Sequence, residues 1–169
     1  MEEWKEIQGF SNYDVSSFGQ VRSKPRRKSK GGLLKFYVDT HGRYGVHLFD
    51  DNSKRVNCRV HRLVADAFIP NTEGKPQIDH INGDRLDNRV ENLRWATGRE
   101  NQINTKLPKN NTSGEKHIGF DDFRQKWRVS IRQEKGTNLQ KRFKTKEEAI
   151  KFRDEMVKIH YDPNFYRSG

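Results

Sequence analysis

Residues 76–97 read PQIDHINGDRLDNRVENLRWAT. QIDHI and LRWAT have the length and the β-branched and aromatic content of two short strands. Between them NGDRLDNRVEN, crowded with Asn, Asp and Gly, reads as the loop that joins them. Thr97 and Glu100 then stand at capping-box spacing, which predicts a helix running to about Asn104. The local order is strand, polar loop, strand, helix, with an adjacent Asp79–His80 pair closing the first strand.

Those residue types suit one chemistry. Hydrolysis of a phosphodiester needs a nucleophilic water, stabilisation of extra negative charge and an activated leaving oxygen, and a divalent metal supplies the last two. A hard cation such as Mg²⁺ keeps several waters, so the protein need offer only one or two oxygens. Asp79 at the strand end and the amide oxygen of Asn101 on the following helix are such donors. Alternation along a strand points His80 away from Asp79 unless the strand twists or ends there. A neutral imidazole with an ordinary pKa of ~6.5 suits a general base at neutral pH, and a backbone partner on one ring nitrogen would set its tautomer. Asn92, just ahead of LRW, is placed to pin the loop that holds His80. Asp84 and Asp87 lack the spacing of a calcium loop and read as turn residues.

The stretch IDHINGDRLDNRVENLRWATGRENQIN resembles the HNH nuclease motif of the ββα-metal fold, in its homing-endonuclease subgroup. In that family an Asp-His pair ends the first strand, a structural Asn precedes the second, and a final His or Asn sits on the helix. Asp79, His80, Asn92 and Asn101 match in that order. The resemblance implies His80 as general base, with Asp79 and Asn101 as ligands of one Mg²⁺ or Mn²⁺. Asn101 stands where many members carry His, which favours an oxygen-preferring ion over Zn²⁺. A neutral amide also binds a cation more weakly, so full occupancy would wait for a DNA phosphate.

Upstream, VHRLVADAFIP carries Leu63, Val64, Ala67 and Phe68 at helical spacing, and Pro70 ends the pattern. His61 opens that helix, as a cap or as a phosphate contact. The segments YDV, QVRS, LKFYVD, YGVHLF and RVNCRV read as short strands, and SSFG between the first two is a turn. The basic run RSKPRRKSKGG reads as a loop or hairpin end, with Arg26, Arg27 and Lys28 either solvated or in contact with phosphates. EEWKEIQGFSNYDVSSFGQVRS resembles the short NUMOD4-like module found ahead of HNH domains in phage and intron endonucleases, with Trp4, Tyr13, Val15 and Val21 as its small core.

Downstream, TKLPKNNTSGEKH has no periodicity and reads as a linker. Fully stretched it would span ~40 Å, enough to separate two DNA-contacting modules by about one turn of duplex. In KWRVSIR, Trp127, Val129 and Ile131 alternate with Lys126, Arg128, Ser130 and Arg132. Gln140 and Arg142 extend the polar face onto LQKRF, and Arg124 lies in the turn before it. Thr145 and Glu148 form a second capping box ahead of a helix with Ala149, Phe152, Met156 and Ile159 as its apolar stripe. This part is similar to the AP2-type DNA-binding domain, a three-stranded antiparallel sheet backed by a helix. The resemblance implies that the polar face reads the major groove, where Arg pairs with guanine.

Composition agrees. Of 169 residues 31% are apolar and 34% charged, so the cores are small, and the formal charge of +11 calls for a polyanionic partner. Residues 1–60 carry a net charge of +5, residues 61–105 carry −1 and residues 106–169 carry +7. Basic flanks suit a grip on phosphates, and a centre with carboxylates suits a cation. Cys58 is the single cysteine, which excludes an internal disulfide and a Cys-rich zinc site. The first residues, MEEWKEIQGF, lack the character of a signal peptide, and no apolar run approaches ~20 residues, so an intracellular protein without membrane contact is expected.

The expected architecture is α+β. A β-rich module spans residues 1–58, a ββα-metal nuclease core 59–105, a linker 106–116 and an AP2-like domain 117–169. The expected function is a metal-dependent, site-specific endonuclease acting on double-stranded DNA as a monomer or weak dimer. The alternatives are a catalytically silent DNA-binding regulator on the same scaffold and a binder or nuclease of structured RNA. The deep major groove of RNA, which excludes a β-ribbon, weighs against the latter.

Overall fold

The computed structural model describes residues 1–27, 29–133 and 136–166. Lys28, one of the expected DNA contacts, lies outside the described residues. The chain divides into two compact units, Met1–Gly98 and Arg99–Gly169, and the fold is α+β.

In the first unit β1 (Trp4–Ile7), β2 (Phe10–Ser16), β3 (Val21–Ser23) and β4 (Gly32–Leu33) form an antiparallel sheet in sequence order. The basic run is the end of the β3–β4 hairpin, where Arg26 and Ser29 exchange backbone hydrogen bonds of 2.7 and 2.9 Å. A second antiparallel sheet holds β5 (Tyr37–Val38), β6 (Tyr44–Phe49) and β7 (Arg55–Arg59). LKFYVD thus yields only the two-residue β5, while WKEI, not read as a strand in the sequence, forms β1.

Strand β7 runs directly into α1 (Val60–Phe68). Val60, Leu63, Val64 and Ala65 are buried, and fully burying a Val or Leu side chain stabilises by about 1.5–3 kcal/mol. The indole N–H of Trp95 donates to the Ile69 carbonyl at the helix end (2.8 Å). The expected hairpin follows as β8 (Gln77–His80) and β9 (Leu93–Ala96), antiparallel, with Ile78 opposite Trp95, Asp79 opposite Arg94 and His80 opposite Leu93.

One core serves the whole unit. Ile7, Tyr13, Val15 and Val21 of the N-terminal strands pack in the same cluster as Val46, Leu48, Val60, Val64, Ile78 and Leu93. Trp4, expected in the core, is only half-buried, because its ring carries the Arg22 guanidinium 4.2 Å above its centroid.

Helix α2 (Gly98–Ile103) begins at the last residue of the first unit and lies otherwise in the second, which continues with the antiparallel sheet β10 (Ile118–Asp121), β11 (Lys126–Arg132) and β12 (Asn138–Phe143). Helix α3 (Lys146–His160) follows, opened by a complete Thr145–Glu148 capping box, a device whose N-cap contributes about 1 kcal/mol. The apolar stripe differs from the expected one. The buried positions are Ala149, Arg153 and Val157, whereas Phe152 and Met156 are half-buried and Ile159 is 67% exposed. Arg153 holds the buried face because its guanidinium donates to the Lys116 carbonyl (2.9 Å) and to Glu115 (3.0 Å). Those partners belong to the stretch read as linker, whose second half is a packed turn. The Ser113 hydroxyl donates to the Ile118 carbonyl (2.6 Å), and Asn111 Oδ1 accepts from the Gly114 amide (2.7 Å).

Candidate active site

The β8–β9 ladder sets the two faces of the Asp79–His80 pair. Asp79 and Arg94 share one face, and Ile78 and His80 point to the other. Asp79 is 3% exposed, and Arg94 places Nε at 2.8 Å and Nη2 at 2.7 Å from its Oδ2. His80, 6% exposed, meets the ring of His61 on α1 edge-on, with centroids 5.3 Å apart. His61 is therefore an interior residue, and its Nδ1 is buried without a hydrogen-bond partner among the described residues.

His80 Nε2 lies 3.0 Å from Asn88 Oδ1, both side chains being buried. The expected backbone partner on the ring is thus, at this nitrogen, a side chain. A carboxamide oxygen at this position accepts only from the Nε2–H tautomer of the ring. Burial lowers the pKa of His80, more than the bond to Asn88 raises it, and the Arg43 charge lowers it further. Burial also pushes His61 down to about 3, with the charges of His80 and Arg43 acting in the same direction. Both rings are neutral at pH 7.

Asn92 holds the intervening loop closed. Its Oδ1 accepts from the Asn82 amide (2.9 Å), its Nδ2 donates to the Asp87 carbonyl (2.7 Å), and its carbonyl accepts from the Ile81 amide (2.8 Å). Asp87 adds a second closure, accepting from Asn82 Nδ2 and from two guanidinium nitrogens of Arg89, each at 2.9 Å. Asp84 accepts from the Leu86 amide (3.0 Å), so both aspartates are turn residues. His80, Asn88 and Asn92 therefore come together around one loop. Asn101 sits on α2, half-buried, in the second unit.

Among the described residues no three His, Cys, Asp or Glu side chains cluster as a metal site. A single carboxylate with a carboxamide is an all-oxygen, sparse donor set, which fits an ion that keeps its own water and does not fit Zn²⁺. The carboxylate is buried and ion-paired with Arg94, so a cation there would share Asp79 with the guanidinium or displace it.

Of the expected DNA contacts, Arg26 and Arg27 are exposed at the β3–β4 hairpin end. In the second unit Lys126, Arg128 and Arg132 are exposed on one face of β11, and Gln140 and Arg142 stand opposite Ser130 and Arg128 on β12. Arg142 Nε and Arg124 both reach Asp121 Oδ2, at 3.0 and 3.4 Å. Trp127, Val129 and Ile131 face the other way, toward α3, where Phe143 and Phe152 pack with ring centroids 5.2 Å apart. Sequence reasoning missed Asn88, Arg94 and Asp121. The signal was present for Arg94 in the opposite charges that a strand pairing places together, but for Asn88 it lies only in how the loop closes.

Comparison with known proteins bears on the segment as a whole. The family model "HNH endonuclease" matches residues 58–103, and the NUMOD4 motif matches residues 2–48. An uncharacterised HNH endonuclease of Acanthamoeba polyphaga mimivirus is 40% identical over 102 residues, which are 58% of this chain and 24% of that protein. DNA endonuclease I-HmuI of Bacillus phage SP01 is 36% identical over 103 residues, 60% of this chain and 56% of that protein. The chain thus spans between a quarter and somewhat over half of the length of these relatives. A solved structure of DNA binding and cleavage by the HNH homing endonuclease I-HmuI covers 93% of this chain and 88% of that one, with 25% identity and a TM-score of 0.52. No helix among the described residues is long and apolar enough to cross a membrane. The α1–β8–β9 segment thus lies within an HNH endonuclease domain, a NUMOD4 motif stands ahead of it, and the chain is similar to phage HNH homing endonucleases.

Proposed function

We propose that the protein is a metal-dependent, site-specific endonuclease of the homing type that hydrolyses a phosphodiester of double-stranded DNA. His80 acts as the general base, and Asp79 with Asn101 hold one divalent ion, Mg²⁺ or Mn²⁺. The observation that carries this reading is a neutral imidazole held by a buried carboxamide, next in sequence to a buried carboxylate at a strand end. His80 accepts a proton from water at Nδ1, the nitrogen opposite Asn88, while Asn88 keeps the ring from rotating. Asn92 takes no proton and keeps the loop that carries Asn88 in register. When bound, the cation stabilises charge on the phosphate and activates the leaving oxygen.

The duplex is gripped by the exposed guanidinium groups of Arg26 and Arg27 and by the polar, AP2-like face that carries Arg128, Arg132 and Gln140. Two separated patches suit a long recognition site. A monomer with one such centre nicks one strand, and a weak dimer would cut both.

One observation favours a second reading. The Arg94 guanidinium already neutralises Asp79, as it would in a DNA-binding regulator without catalysis. A plasmid cleavage assay with and without Mg²⁺ separates the two. The parent is expected to cut only with metal, and His80→Ala to lose about 10²–10⁴-fold in rate while retaining DNA affinity. Undiminished cutting by His80→Ala removes the histidine from its role. A parent that binds duplex and never cuts it supports the regulator, and cleavage of RNA alone overturns the substrate class.

A further inference from the structure

The nuclease loop leans on the N-terminal module through Arg85, whose guanidinium donates to the His41 carbonyl (2.9 Å), and through a turn nearer the histidine. The turn Ser17–Gly19 between β2 and β3 meets the segment Asn88–Val90: the Ser17 carbonyl accepts from the Val90 amide at 2.8 Å. A Cβ built on Gly19 would lie 2.9 Å from both the Cβ and the carbonyl oxygen of Asn88, and Gly19 has φ +81°. Only glycine fits there on both counts. The turn is itself tied down. Ser16 Oγ accepts from the amides of Phe18 (3.3 Å) and Gln20 (3.0 Å), Ser17 Oγ accepts from the Glu3 amide (3.0 Å), and Ser16 is fully buried.

What Gly19 supports is the residue that holds the general base. Asn88 is 4% exposed, its Oδ1 takes the His80 bond, and its Nδ2 is buried with no partner among the described residues. A buried amide donor left bare is unfavourable, and such an exception in an otherwise satisfied loop calls for a functional reason. Reversing the amide would put NH₂ on Nε2 and move the imidazole proton to Nδ1, so the two orientations correspond to two distinguishable tautomers.

We propose that Asn88 is the positioning residue that fixes His80 as its Nε2–H tautomer, and that the Ser17–Gly19 turn of the NUMOD4 motif holds Asn88 in place. The N-terminal module is thereby part of the catalytic machinery as well as of the DNA grip. This deepens the nuclease reading and rests on it.

The test uses the full-length chain labelled with ¹⁵N, with long-range ¹H–¹⁵N imidazole spectra assigned through His80→Gln. The parent is expected to show the Nε2–H pattern for His80, and an Nδ1–H pattern overturns the proposal whatever the variants do. Asn88→Leu, which keeps the volume and loses the acceptor, is expected to lose that tautomer preference and to cut about 100-fold more slowly at saturating duplex, the scale of a general base's contribution. KM and the Kd for uncleaved duplex should stay within about threefold of the parent, since a positioning residue acts on the transition state. Asn88→Asp keeps an acceptor and is expected to restore the Nε2–H pattern. Gly19→Ala should reproduce the Asn88→Leu spectrum in a chain whose DNA affinity is unchanged. Parent-like tautomer and rate in both Asn88→Leu and Gly19→Ala overturn the proposal alone. If the parent cuts no nucleic acid the nuclease reading fails, while the spectra still decide whether Asn88 sets the ring.

Discussion

Arg94 stands directly across the β8–β9 ladder from Asp79 and places two guanidinium nitrogens on one carboxylate oxygen, at 2.8 and 2.7 Å. Both side chains are largely removed from water. Removing one partner of a buried pair costs about 3–5 kcal/mol. Arg94→Ala is therefore expected to lose about that much stability in chemical denaturation. A divalent cation that binds at Asp79 would replace the missing charge, so Mn²⁺ should raise the Tm of Arg94→Ala more than that of the parent. A loss under about 1 kcal/mol, the scale of an exposed pair, would mean that the pair is solvated.

The donor set itself can be tested without cleavage. One carboxylate and one neutral amide make a weak site, because affinity for a hard cation rises with the number of charged ligands. Asn101→Asp is expected to bind Mn²⁺ about tenfold more tightly than the parent in the absence of DNA, measured by electron paramagnetic resonance. Asp79→Asn should abolish that binding. Equal Mn²⁺ affinity in the parent and in Asp79→Asn would remove Asp79 from the proposed site.

Much of this was legible from local pattern. Alternation in KWRVSIR, the Thr145–Glu148 capping box and the two strands around NGDRLDNRVEN are short-range signals, and all appear in the structure. What stayed hidden depends on tertiary closure. Asn88 and Asn92 look alike in the sequence, and only the folded loop decides that Asn88 reaches the ring while Asn92 holds the backbone. Arg153 reads as a solvated charge on α3 until the turn at 111–117 folds beneath it and supplies a carbonyl and a carboxylate. Gly19 carries an ordinary turn signal, and nothing local announces that its missing side chain makes room for Asn88.

The loop should also respond to acid. The hydrogen bonds from Arg89 hold the Asp87 carboxyl at about 2, below its usual range, against an opposing effect of burial. A depressed carboxylate contributes stability that is fully present above its unfolded pKa, ~3.9, and is lost as pH falls through the folded value. Between pH 4 and pH 2 the parent is therefore expected to lose more Tm than Asp87→Asn does. Parallel Tm curves for the two proteins over that window would show that Asp87 is not linked to folding. Above pH 5 the difference between them should be constant, because Asp87 is ionised in both the folded and the unfolded parent.

On the polar face of the second sheet Asp121 is expected to oppose DNA binding. Its carboxylate takes Arg142 at 3.0 Å and Arg124 at 3.4 Å, and the Arg142 hydrogen bond lowers its pKa, so it remains charged through the neutral range. Each phosphate neutralised by a cation releases counterions and steepens the fall of log K with log salt by about 0.9. Asp121→Asn removes one negative charge from this face and frees two guanidinium groups. It is expected to tighten binding to random duplex and to steepen the salt slope by about one unit, as measured by fluorescence anisotropy between low and physiological salt. Arg128→Ala, across the ladder from Arg142, should move affinity and slope the other way if Arg128 grips a phosphate. If it reads a base, it should weaken the specific site selectively and leave the slope unchanged. An Asp121→Asn slope equal to that of the parent would mean that this face does not meet the DNA backbone.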